Sequence, residues 1–117
     1  MRMWNVYPGF MCRQHLLGEH REIHTIVGMM QKGRKISGTK YITNRLIEIH
    51  SLDARHQELI REMLSRGYHH NSPFPHDLVL WREGNIDPDK NILELMDRCP
   101  ECRKRIISYY QKYDIVP

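Results

Sequence analysis

Apolar side chains recur at steps of three and four from about Cys12 to Met30. Leu16, His20, Ile23, Val27 and Met30 fall on one stripe there, which predicts a first helix. Gly33 follows the last periodic position as a helix stop, and the lysine- and glycine-rich stretch Lys32–Lys40 reads as an exposed loop. A second helix is predicted from Ser51, as N-cap, to Gly67, turning Leu52, His56, Leu59, Ile60, Met63 and Leu64 inward. Asn71-Ser72-Pro73-Phe74-Pro75 excludes regular structure, because two prolines fix φ and remove backbone donors. Leu78-Val79-Leu80-Trp81 fits either a brief strand or a buried helical turn. Asp87-Pro88 has the form of an N-cap with proline at the first helical position, opening a third helix through about Arg98. Cys99-Pro100 interrupts it, and a last helical stretch from Glu101 to about Lys112 carries Ile106, Ile107, Tyr109, Tyr110 and Tyr113. No long strand with clean alternation is present. The expected fold is an all-α single domain over residues 1–117, with three main helices and irregular connections.

Composition narrows the class. At 117 residues, 40% hydrophobic and 27% charged, the chain can build one hydrophobic core and is not a disordered or low-complexity protein. No apolar run approaches the roughly 20 residues of a membrane span, and Met1-Arg2-Met3-Trp4-Asn5 does not resemble a secretory signal. Three cysteines fit a reducing cytoplasm better than a disulfide framework. The net charge of +4 permits an anionic partner without establishing one.

Several residue groups could carry chemistry, each beside a plainer alternative. His20 and His24 lie one helical turn apart and could share a metal, but His20 is also on the apolar stripe. Cys99-Pro100-Glu101-Cys102 is a single C-x-x-C, read first as reduced structural cysteines. As a zinc site it would draw on His69, His70 or His76. No metal ligand is assigned. His15, Glu19 and Glu22 form a polar strip flanked by Arg21, either a functional face or a solvated one. Basic residues cluster at Lys32, Arg34, Lys35, Lys40 and Arg45, and again at Arg98, Arg103, Lys104 and Arg105, ahead of Tyr109, Tyr110 and Tyr113. Cations beside aromatic rings suit phosphates and unpaired bases, while the same tyrosines serve equally well as core.

The run Gln14-His15-Leu16-Leu17-Gly18-Glu19-His20-Arg21-Glu22-Ile23 resembles the first-helix signature of the phage-type pyrimidine-dimer DNA glycosylases. Arg2 matches the family's second residue. Leu52–Ile60 with Arg66-Gly67-Tyr68 resembles its second long helix, and Tyr109-Tyr110-Gln111-Lys112-Tyr113 its aromatic tail. The resemblance implies a small helical enzyme, without cofactor, acting as a cytoplasmic monomer on damaged double-stranded DNA. It implies removal of the damaged base and then cleavage of the strand as an abasic-site lyase. The nucleophile would be the α-amino group of Met1, and Glu22 would stand in the place of the catalytic glutamate. Arg2, Gln14, His15 and Arg21 would contact phosphate or hold the site together, with Tyr109, Tyr110 and Tyr113 as DNA-contacting aromatics. An α-amino group gives up its proton about 2.5 units below a lysine side chain, which suits imine formation. Where well-known members begin with an exposed Thr, Arg2 here predicts retention of Met1, and Thr25 replaces a further phosphate-binding arginine. Three other readings stay open: a lyase for oxidised or plain abasic sites, a non-catalytic nucleic-acid-binding module, and a small metal-binding regulator.

Overall fold

The computed structural model describes residues 1–113. Four helices of 11 to 19 residues make the frame: α1 (Arg13–Gln31), α3 (Leu52–Ser65), α4 (Pro88–Arg98) and α5 (Pro100–Lys112). A single-turn helix α2 (Lys40–Thr43) and two 3-10 turns, Pro8–Phe10 and Ile49–Ser51, complete it. The fold is all-α, with no strand among the described residues. The expected three main helices are therefore four, because the stretch after Cys99-Pro100 is a full helix packed on α4.

The local signals act largely as their chemistry requires. Asp87 Oδ1 accepts the Lys90 N–H at 3.2 Å, and Pro88 occupies the first turn of α4. Gly67, at φ +84°, ends α3, while the Tyr68 N–H reaches back to the Met63 carbonyl at 2.9 Å. Ser51 is the N-cap residue of α3 as expected, but its side chain does not cap the helix. Its hydroxyl bonds Glu48, and the chain enters α3 through a 3-10 turn. Leu64, expected inward, is exposed. The segment 78–81 is neither strand nor helix: Leu78 and Leu80 are half-buried, Val79 and Trp81 exposed. Just beyond it, Gly84 at φ +101° passes so close to Ile47 that a Cβ would sit 2.3 Å from the Ile47 carbonyl oxygen.

The core joins all of these parts. Leu16, Ile23, Ile26 and Val27 of α1 meet Leu52, Leu59 and Met63 of α3, with Leu95, Cys102 and Ile106 from the last two helices. The N-terminal segment is not a loose tail, because Met3, Val6, Phe10 and Met11 are buried in the same core. The Met3 N–H also donates to the Leu46 carbonyl at 2.8 Å. Among the described residues no helix is long and apolar enough to cross a membrane.

Candidate active site

One face of α1 forms the floor of an open cleft of about 840 Å³. Gln14, His15, Arg21 and Glu22 all line it, because consecutive turns of one helix present them on the same side. Arg2 and Trp4 from the N-terminal segment, Leu46, and Arg98 at the end of α4 close the walls. With Arg13, four guanidinium groups border the cleft, which makes it a natural receptor for phosphates. Met1 is half-buried against the core; its neighbour Arg2 borders the cleft, and Met1 itself is not among the residues that line it.

The polar strip does not survive intact. Glu19 is 2% exposed and is bound by the buried Arg55, whose Nε donates to Oε2 at 2.6 Å and Nη2 to Oε1 at 2.9 Å. Glu22 makes no ion pair or side-chain hydrogen bond among the described residues. Two carboxylates thus border the cleft, and Glu22 is the one left free for a ligand.

Arg2 is firmly placed. It donates to Glu94 through Nη1 at 2.5 Å and Nη2 at 3.0 Å, and to Asn91 Oδ1 at 2.9 Å, while its guanidinium carbon lies 3.6 Å from the Trp4 ring centroid. Asn91 in turn donates to the Trp4 carbonyl at 2.7 Å. His15 meets the edge of Trp4, with ring centroids 5.7 Å apart. Burial, followed by the charges of Arg98 and Arg2, holds its imidazole below the ordinary 6.5. Trp4, Arg13 and Arg98, with Asn91 and Glu94 behind them, were not singled out as site residues from the sequence. Arg13 lies about two turns before Arg21 on α1, a spacing visible in the sequence; Arg98 belongs to the basic cluster read ahead of the tyrosines, but its place beside α1 depends on how α4 folds back.

The tyrosines lie elsewhere. None of Tyr109, Tyr110 and Tyr113 lines the cleft. Tyr109 packs edge-on against Phe10 at 5.0 Å and lies 5.3 Å from Tyr7. Tyr110 lies 6.0 Å from Phe10, and exposed Tyr113 stacks obliquely on Tyr109 at 4.8 Å. A shallow groove beside them is bordered by Lys104, Arg105, Tyr109 and Lys112.

Both sequence pairs with metal-ligand spacing gain partners. His20 and His24 are joined by His56 and His70, and Cys99 and Cys102 by Cys12 and His15; His69 and His76 join neither group. Burial and the neighbouring imidazoles push His20 and His56 down to about 4, so both rings are neutral near pH 7.

No curated protein and no solved structure matches the chain. A model of the pyrimidine dimer DNA glycosylase family does match, over residues 1–76. That span contains Met1, Arg2, Gln14, His15, Arg21 and Glu22, and stops before α4 and α5. With more than half its length covered, the chain belongs to the pyrimidine dimer DNA glycosylase family.

Proposed function

We propose that the protein excises the base at a pyrimidine dimer, or a related lesion, in double-stranded DNA and then cleaves the strand as an abasic-site lyase. The observation that carries this reading is the free carboxylate of Glu22 in an arginine-bordered cleft, beside the N-terminal segment. The arginines grip the backbone on either side of the lesion. Reaching C1′ requires a base to leave the stack, and a lesion that already weakens stacking lowers that cost.

The uncharged Met1 amine attacks C1′. The bond from C1′ to the base breaks, and the base departs with the electron pair and gains a proton. Positive charge developing on the sugar is stabilised by the fixed negative charge of Glu22. The sugar ring opens as its oxygen takes a proton and the amine loses its own, leaving an imine. Removal of a C2′ proton, with Glu22 as the nearby base, expels the 3′ phosphate. Water then hydrolyses the imine and frees the amine.

The test uses untagged protein and duplexes carrying one defined lesion each. Strand cleavage at a cyclobutane dimer, and not in the undamaged duplex, supports the reading. Cleavage confined to abasic or oxidised sites moves the activity to those lesions. Binding without cleavage or a borohydride-trapped adduct returns the protein to a non-catalytic module.

A further inference from the structure

We propose that Cys12, His15, Cys99 and Cys102 bind a zinc ion that ties the start of α1 to the α4–α5 junction. The ligands come as two short-spaced pairs, Cys12-x-x-His15 and Cys99-x-x-Cys102, each at the N-terminal end of a helix. Their ligand atoms all lie within 4.8 Å of one another. Cys12 Sγ is 3.9 Å from Cys99 Sγ, and His15 Nδ1 is 3.2 Å from Cys12 Sγ and 3.5 Å from Cys102 Sγ. Zn–S bonds of ~2.3 Å and Zn–N bonds of ~2.0 Å set tetrahedral edges of roughly 3.8 Å between sulfurs and 3.5 Å from sulfur to nitrogen. The sulfur separation is far beyond the ~2.05 Å of a disulfide.

Backbone N–H groups are aimed at two of the sulfurs. The Cys12 N–H donates to Cys102 Sγ at 3.2 Å and the Cys102 N–H to Cys99 Sγ at 3.4 Å, as outer bonds do in metal–sulfur centres. Cys12 and Cys99 are the N-cap residues of α1 and α5, where the helix dipole favours negative charge. Cys99 and Cys102 lie beyond the residues matched by the family, so the ion would anchor the chain's last two helices to the helix bearing Glu22. His15 would serve as a ligand through Nδ1 while its ring still borders the cleft.

A different observation carries a second site, at His20, His24, His56 and His70. His24 Nε2 lies 3.2 Å from His20 Nε2 and also 3.2 Å from His56 Nε2. A neutral imidazole nitrogen holds one N–H or one lone pair, so His24 Nε2 cannot make two full hydrogen bonds. His70 also has a buried Nε2 with no partner. A divalent first-row transition ion meets four converging imidazoles at once, and its tetrahedral nitrogen edge is roughly 3.3 Å. His56 and His70 also form part of the wall of a 540 Å³ cavity under Phe74.

Metal analysis of untagged protein from zinc-replete, chelator-free preparation tests both sites. About two equivalents per chain are expected. Cobalt exchanged into the protein should show thiolate-to-cobalt charge transfer, and C99S should lose that band with about one equivalent. Because loss of zinc can itself unfold the α4–α5 pair, a second measurement uses the wild-type chain: zinc should protect all three cysteines from alkylation. Freely alkylated cysteines in zinc-saturated protein, or cobalt spectra without thiolate bands, overturn the first site. H70A should lose the other equivalent and keep the thiolate bands, and full metal content in H70A overturns the second. None of these readouts involves DNA, so their failure is distinct from a failure to cleave lesions.

Discussion

Arg55 and Glu19 form a two-pronged ion pair inside the molecule, both side chains almost wholly removed from solvent, linking α3 to α1. The same guanidinium donates to the Val6 carbonyl at 2.6 Å, so it also fixes the N-terminal segment that walls the cleft. Removing one partner leaves a buried, uncompensated charge. Arg55→Met should lower unfolding stability by about 3–5 kcal/mol, read from urea midpoints. A loss below about 1 kcal/mol would show that the pair is solvated and that the N-terminal segment is held by other means.

This pair marks the limit of what the sequence makes legible. Helix positions follow from periodicity and from local signals such as Asp87-Pro88 and Gly67, because caps and stops act within a few residues. The α1 share of the cleft was legible for the same reason: Gln14, His15, Arg21 and Glu22 sit on one helix. Glu19 looked like part of their face, but its partner lies 36 residues away on another helix. Cys12 and His15 meet Cys99 and Cys102 across a separation of 87 residues. No spacing rule within a helix registers such meetings, which depend on how α4 and α5 fold back.

Glu22 is the free carboxylate of the cleft, and its charge is the feature the proposed chemistry needs. Glu22→Gln keeps the size and polar contacts while removing the charge. Excision at an intact lesion should fall by about 10²–10³-fold or more, with lesion binding preserved. Near wild-type excision would make Glu22 an ordinary surface residue.

Arg21 is exposed on the cleft rim and forms no ion pair among the described residues. If it neutralises one phosphate, Arg21→Ala should flatten the log–log dependence of DNA affinity on salt by about 0.9. Arg2, already engaged by Glu94, should change that slope less. An unchanged slope in Arg21→Ala would move the DNA path off this rim.

Glu94 couples the cleft wall to acid stability. The hydrogen bond from Arg2, supported by Arg98, holds its carboxyl below the ordinary 4.5. A depressed native value means that its contribution is full above about 4.5 and disappears as pH falls through the native value. Glu94→Gln should therefore be less stable than wild type near neutrality, by at most about 1 kcal/mol for this partly exposed pair. The two melting temperatures should converge in acid. A gap that persists or widens at low pH would contradict the coupling.

The Met1 amine gives the sharpest test, because the proposed nucleophile belongs to the backbone and no side-chain substitution removes it. A few residues appended to the N-terminus would turn the Met1 amine into a peptide nitrogen and move the free amine several residues away from Arg2, which borders the cleft. Acetylation would instead leave the nitrogen where it is and withdraw its lone pair into an amide. The N-terminal segment is locked by the buried Met3 and Trp4 and by the Met3–Leu46 hydrogen bond, so either change should leave the fold intact by circular dichroism. Both should abolish the borohydride-trapped adduct with an abasic duplex. Reduction matters because the imine hydrolyses whereas the amine it yields persists, and peptide mapping of the native protein's adduct should place it on Met1. An adduct on Lys32, Lys35 or another lysine, or undiminished cleavage by the extended protein, would assign the nucleophile elsewhere.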